Sequence, residues 1–276
     1  MKIHTQNSIL NFDVPKIMGI LNVTPDSFYD GGVHATLDAM LTHTEKMLRD
    51  GADIIDVGAY SSRPGAQHLS VQEELERIIP IVTKIRQNFP SAILSIDTFR
   101  AAVVETLFDT IGEFVVNDIS GGHMDSMMQP TVGRLNLPYI CMHMQGTPQT
   151  MAQQTHYSHL ITDVYSYFER AIEQAAAHGI SQIIIDPGFG FGKTGDQNFT
   201  LLANLETFVS LNKPILVGVS RKSMIYKTLQ TTPEHSRNGS SVLHAVALLH
   251  NANILRVHDV KEAKECVVLM QKIKNA

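Results

Sequence analysis

The sequence predicts a single α/β domain, a (β/α)8 barrel of the TIM type, spanning residues 1–276. Three observations carry this prediction. The chain has 276 residues, close to the ~250 typical of one such barrel. Eight short β-branched apolar runs recur along it at regular distances, each followed by an amphipathic stretch. Nearly every run ends on a polar or charged residue, where barrels of this kind keep their binding and catalytic groups.

Taken in order, the runs cover residues 16–22, 53–58, 93–97, 114–119, 139–144, 182–186, 214–220 and 253–258. They are apolar almost continuously, as expected for parallel strands buried on both faces. Helical periodicity fills the intervals, most clearly at 71–88, 158–178 and 238–250. Gly51 is expected to close the first helix and Gly179 the fifth, while Pro138 and Pro214 open strands. Eight β-then-α units fit a closed barrel better than an open doubly wound sheet. No low-complexity linker or internal repeat divides the chain, so one domain is expected. Two connections, 24–35 and 59–70, are long enough to suggest function.

Composition narrows the classes of activity. Hydrophobic residues make up 43% and charged residues 18%, with a net charge of −5. The pI is near 6.2, and no basic run is present, which argues against a nucleic-acid partner. No run of 18 apolar residues occurs, so no membrane span is expected. Residues 1–15 are polar and do not resemble a secretory signal. The two cysteines, Cys141 and Cys266, have no metal-ligand spacing and read as reduced thiols of a cytoplasmic protein.

The strand ends give, in order, Asn22, Asp56, Asp97, Asn117, His143, Asp186, then Ser220 with Arg221 and Lys222, then Arg256 and His258. Such a concentration is the main sign of an enzyme. Each residue also has a structural reading. Asp97 is placed to cap the following helix, although Thr98 can do the same. Asp186 precedes Pro187 and suits a turn; an acid ending an Ile-Ile-Ile run is also costly to bury without a partner. Asn22 and Asn117 can satisfy loop backbone. Asp259 with Glu262 looks like a capping box and is left outside the site. Arg63, Lys222, Arg256 and His258 converge on one opening in a barrel and suggest a phosphate or pyrophosphate site. The stretch from Gly190 to Gly195 matches G-x-G-x-x-G, but it follows the sixth strand and lacks the acid that holds a ribose. Its likeness to a P-loop fails because Pro187 stands at the first glycine.

Several strings together resemble the dihydropteroate synthase family. They are Gly19-Ile-Leu-Asn-Val-Thr-Pro-Asp-Ser-Phe28, Ser62-Arg-Pro-Gly65, Ser95-Ile-Asp-Thr98, Val116-Asn-Asp-Ile-Ser120, Met142-His-Met144 with Gly146-Thr-Pro148, Asp186-Pro-Gly188 with Gly190-Phe-Gly-Lys193, Ser220-Arg-Lys-Ser223 and Arg256-Val-His-Asp-Val260. They run in family order along successive strand ends. The resemblance implies a step of folate biosynthesis. A hydroxymethyl dihydropterin pyrophosphate loses pyrophosphate, and p-aminobenzoate takes its place through its amine, with Mg2+ assisting.

The resemblance also assigns roles. Asp97 would stabilise the cationic methylene left when pyrophosphate departs. Asp186 and Asn117 would hold the polar edge of the pterin, with Lys222 beside its carbonyl. Arg63, Arg256 and His258 would hold the pyrophosphate, and Asn22 the metal. Ser62, Pro64, Phe191 and Ser223 would border p-aminobenzoate, with the helix opening near Ser223 favouring its carboxylate. Family members are commonly homodimers and targets of sulfonamides.

There are departures. The family usually reads Gly-Glu-Ser-Thr-Arg-Pro-Gly in the second loop, where this chain has Ala59-Tyr-Ser-Ser-Arg-Pro-Gly65. Gln145 stands where arginine is common before Gly-Thr-Pro. These changes bear on p-aminobenzoate affinity and sulfonamide response. Two other readings stay open at this point. One is a pterin-binding methyltransferase, disfavoured by the basic strand ends and the Ser62-Arg-Pro-Gly65 loop. The other is a non-catalytic pterin-binding paralogue.

Overall fold

The structure, a computed structural model, describes residues 1–5, 8–23, 32–60 and 69–276, with only the backbone of residues 8 and 32–36. Eight parallel strands form the barrel: β3 (Lys16–Asn22), β4 (Ile54–Gly58), β5 (Ile93–Asp97), β6 (Val115–Asp118), β7 (Tyr139–Met142), β8 (Ile183–Asp186), β9 (Leu216–Val217) and β10 (Ile254–Val257). Their order in the sheet is β8-β7-β6-β5-β4-β3-β10-β9. A parallel bridge between Ile185 and Ile215 closes the ring, with Ile185 N–H donating to the Pro214 carbonyl at 3.0 Å.

Helices α1 (Gly32–Arg49), α2 (Val71–Asn88), α3 (Ala101–Ile111), α4 (Met128–Arg134), α5 (Leu160–Ala177), α6 (Gly195–Ala203), α7 (Ser223–Thr228), α8 (Arg237–Leu249) and α9 (Val260–Lys274) connect these strands. Ser70 caps α2 in a reciprocal box with Glu73. Gly51 and Gly179 end α1 and α5 at φ of +103° and +80°, as their positions predicted. The expected box at Asp259 is absent. Asp259 precedes α9 without a side-chain cap bond and turns instead to Arg221, whose Nε donates to it at 2.8 Å.

Strand residues alternate between two environments. Ile17, Leu21, Ile55, Val57, Leu94, Ile96, Val116, Ile185, Val217 and Leu255 pack outward, in the large core shared with the helices. Met18, Ile54, Val115, Ile140, Ile184, Leu216 and Ile254 point inward, with Ile93 packed against them. An antiparallel hairpin, β1 (Lys2–Thr5) and β2 (Ser8–Asn11), adds Ile3, Leu10 and the following Phe12 to that inner cluster. The hairpin therefore plugs the amino-terminal end of the barrel. Sequence reading passed over it because each short strand offers little apolar periodicity.

Candidate active site

Two residues beyond the apolar floor, the same inward face turns polar. Ile54 is followed by Asp56, Val115 by Asn117, Ile184 by Asp186 and Ile254 by Arg256. Asp97 lies one further step along β5 and pairs in register with Asn117. Strand geometry thus gathers these groups at the carboxyl-terminal mouth without help from the loops.

Arg256 links them. Its Nε donates to Asp56 Oδ2 at 2.7 Å and its Nη2 to Asp97 Oδ2 at 2.8 Å. Asn117 Nδ2 donates to both oxygens of Asp56 at 3.2 Å. Asp56 is wholly buried, so these charge-assisted bonds replace the water it has lost. Burial pushes Asp97 up to about 7; Arg256 opposes this, while Asp56 adds to it. Despite burial, the two carboxylates hold the Arg256 guanidinium above its ordinary range.

Asp186 ends β8 and is raised by burial, with Lys222 the largest opposing influence. Its Oδ1 accepts from Gly188 N–H at 2.8 Å, so the turn expected at Asp186 and Pro187 is present and leaves the second oxygen for other partners. Lys222, at the cap of α7, donates to the Phe189 carbonyl and lies 4.7 Å from the Phe191 ring centroid. Burial lowers Lys222 to about 8 against the pull of Asp186. Ser223 opens α7, a helix of six residues, so only its first N–H groups contribute to an anion site.

His258 follows β10, and its Nδ1 lies 3.1 Å from Ser220 Oγ. Partial desolvation, and then the nearby cations Arg256, Arg221 and Lys222, hold it below its ordinary value, although the residue faces the exposed mouth. Asn22 is exposed at the tip of β3, beside Gly58. Ser62, Arg63 and Pro64 lie outside the described residues. Asp97 is not a helix cap: α3 begins after Arg100 without a side-chain cap, and Ala101 N–H donates to Asp125 at 2.8 Å.

Three features escaped the assignment of site residues. Strand position marks Asp56 only as a strand-end acid, yet it anchors both Asn117 and Arg256. Its position, two residues after Ile54 on one strand face, was the available signal. Lys193 and His143 meet at 2.9 Å behind Asp186; nothing in the sequence pairs them. Tyr60, where the family has an acid, is buried, with its ring edge-on to Phe99 at 5.0 Å. Its hydroxyl accepts from Gln149 Nε2 at 2.9 Å, joining the segments that follow β4 and β7. Gln145 donates to the His156 carbonyl at 3.3 Å.

The arrangement suits a polar ring system held by acids and an anionic group held by cations at one mouth. A profile of the family described as pterin binding enzyme matches residues 18–258. The dihydropteroate synthase of Escherichia coli is 41% identical over 273 residues, covering 98% of this chain and 96% of that protein. The chain belongs to the dihydropteroate synthase family. The dihydropteroate synthase of Yersinia pestis, solved in complex with a sulfonamide drug, matches with a TM-score of 0.93 and 40% identity over 100% of both chains. That of Xanthomonas albilineans, solved with 4-aminobenzoic acid, matches with a TM-score of 0.89 and 36% identity, covering 97% of this chain and 96% of that one. Dihydropteroate synthases are transferases of folate biosynthesis, and this chain has that function. The methyltransferase alternative falls on the same finding.

Proposed function

We propose that this chain joins 6-hydroxymethyl-7,8-dihydropterin pyrophosphate to p-aminobenzoate through the residues gathered at the mouth. The observation that carries the reading is Arg256 spanning Asp56 and Asp97 beside Asp186 and Lys222. Asp186 and Asn117 receive the polar edge of the pterin, and Lys222 meets its carbonyl. The bond from the methylene carbon to the pyrophosphate oxygen breaks with its electron pair on oxygen. The cation left on the methylene is conjugated with the ring, and the Asp97 carboxylate stabilises it. The amine nitrogen of p-aminobenzoate then bonds to that carbon and gives up a proton to the departing pyrophosphate or to water.

Arg256 is suited to receive the pyrophosphate. The anion competes with Asp97 for Nη2, while the bond from Nε to Asp56 keeps the guanidinium tethered. Such an exchange frees Asp97 as the positive charge develops near it. Arg63 and His258 complete the anion site, and Ser62, Pro64, Phe191 and Ser223 border p-aminobenzoate.

Mg2+ fits this donor set only as an ion that arrives with its phosphate ligands. Among the described residues, no group of three or more His, Cys, Asp or Glu is placed to hold a metal, and Asn22 offers one neutral oxygen. Bound there, Mg2+ supplies neutralisation of charge on the leaving pyrophosphate.

The reading carries a homodimer with it. It is supported by apolar side chains exposed on the adjoining helices α8 and α9, including Val242, Leu249, Leu269 and Ile273. A cytoplasmic location is supported by Cys141, a buried thiol 3.9 Å from the Tyr167 hydroxyl. Residues 1–276 are read as one pterin-binding domain.

The test is pyrophosphate release by purified protein supplied with the dihydropterin pyrophosphate and Mg2+, with and without p-aminobenzoate. Release that depends on p-aminobenzoate, with dihydropteroate formed, is the expected result. Pterin binding without release overturns the reading in favour of a non-catalytic paralogue.

A further inference from the structure

Behind Asp186 lies a buried contact that the proposed reaction does not use. Lys193 is 8% exposed, although lysine is rarely buried without partners. Its Nζ lies 2.9 Å from His143 Nδ1, 3.0 Å from the Gly188 carbonyl and 3.1 Å from the Phe191 carbonyl. Three ammonium protons thus meet three acceptors, with no need for water.

The two carbonyls belong to the turn that serves the site. Gly188 is the residue whose N–H holds Asp186 Oδ1, and Phe191 lies under Lys222. The seat has little freedom. Gly188 adopts φ +71°, and a Cβ there would meet the His143 carbonyl oxygen at 1.9 Å. His143 is fixed in turn: its N–H donates to the Asp186 carbonyl at 2.9 Å, and its ring lies 4.8 Å from that of Tyr167.

We propose that Lys193 is a positioning residue for the pterin site, fixing the turn after β8 through Gly188 and Phe191 and backing Asp186 with a buried positive charge. This rests on the reading that Asp186 receives the pterin. The groups facing Lys193 and Asp186 are Lys222 at the cap of α7, Arg256 from β10, Cys141 from β7 and His143 just after it, His123 from the segment after β6, Tyr157 just before α5 and Tyr167 within α5. Burial lowers Lys193 to about 7, with Asp186 opposing and Lys222 reinforcing the change. Burial raises Asp186, and Lys193 is among the cations that pull it back. The lysine charge is therefore present below about 7, where it favours the Asp186 carboxylate. Above about 7 the neutral amine keeps both carbonyls and accepts a proton bond from the other imidazole tautomer, with no heavy atom displaced.

Calorimetric binding of 6-hydroxymethylpterin at about pH 6 and about pH 9 separates these effects in wild type, Lys193→Met and Asp186→Asn. Lys193→Met is expected to bind more weakly than wild type at both pH values, because the Gly188 and Phe191 carbonyls lose their donor, with the larger loss at the acid pH, where the buried charge behind Asp186 is lost as well. Equal binding at both pH values overturns the proposal. So does a loss equal at both, which leaves the buried charge no part in holding Asp186. Asp186→Asn is expected to bind weakly throughout; wild-type binding by that variant overturns the reading of Asp186 itself, and the proposal with it. A second measurement needs no variant. Imidazole 15N NMR of the wild-type protein at the acid pH is expected to find the His143 proton on Nε2, and a proton on Nδ1 overturns the proposal.

Discussion

Ile54 and Asp56 stand on the same face of β4, roughly 7 Å apart, yet they belong to different regions of the barrel interior. At the level of Ile54 the interior is a dry floor built from Met18, Val115, Ile140, Ile184 and Ile254 and sealed by Ile3, Leu10 and Phe12. At the level of Asp56 it is a set of acids, an amide and a guanidinium bonded to one another. The floor is held by burial and close packing, which any well-fitting apolar set supplies. The mouth is held by charges that are costly to bury unless each keeps its partner. The difference teaches that the floor carries stability, while the mouth carries chemistry at some cost in stability.

Arg256→Ala strikes the mouth hardest. It leaves the buried Asp56 and the partly buried Asp97 without their shared cation, a loss on the order of 3–5 kcal/mol for a broken buried pair. Activity is expected to vanish, and chemical denaturation should show a larger stability loss at alkaline than at acidic pH, where Asp97 takes a proton. The counterpart on the floor is Ile54→Ala. That side chain is fully buried, and its truncation is expected to remove about 2–5 kcal/mol of stability, with kcat of the folded fraction unchanged. A mouth variant that lowers only stability, or a floor variant that lowers only kcat, would break the comparison.

A smaller effect sharpens it through pH. In the proposed reaction, catalysis uses the Asp97 carboxylate, raised to about 7, and the Lys222 ammonium, lowered to about 8. The profile of kcat/KM for the pterin substrate should rise with pH through the first value and fall above the second, about tenfold per unit on each limb. Stability runs the other way for Asp97. The folded protein binds that proton more tightly than the unfolded chain, so the Asp97 contribution declines as pH rises from its ordinary 3.8 to about 7 and is flat above. A flat kcat/KM profile between about pH 5 and 7 would remove Asp97 from the rate-determining step.

Much of this was legible in the sequence, for reasons that also explain the gaps. The runs 16–22 and 93–97 match β3 and β5 residue for residue, because continuous β-branched stretches with a polar end have few alternatives. The run 214–220 contracts to Leu216–Val217, since the chain leaves the sheet at Gly218 to deliver Ser220, Arg221 and Lys222. Strand position alone marks Asp97, Asn117, Asp186, Lys222 and Arg256, and the fold brings them to one mouth. Their pairing was not legible. Arg256 and Asp56 are 200 residues apart in the chain, and only closure of the ring decides that the arginine spans two acids rather than standing free for an anion. The same limit hid Lys193 behind Asp186, and it drew Asp259 away from its expected cap to Arg221.

The most direct check is single-turnover kinetics of Asp97→Asn beside the pterin dissociation constant of the same variant. The rate of bond breaking is expected to fall by about 10²–10³, as when one group stabilising a transition-state charge is lost, while pterin affinity stays within a few-fold of wild type. An unchanged rate, or an affinity loss large enough to account for the whole defect, would contradict a mouth built to stabilise the departing cation.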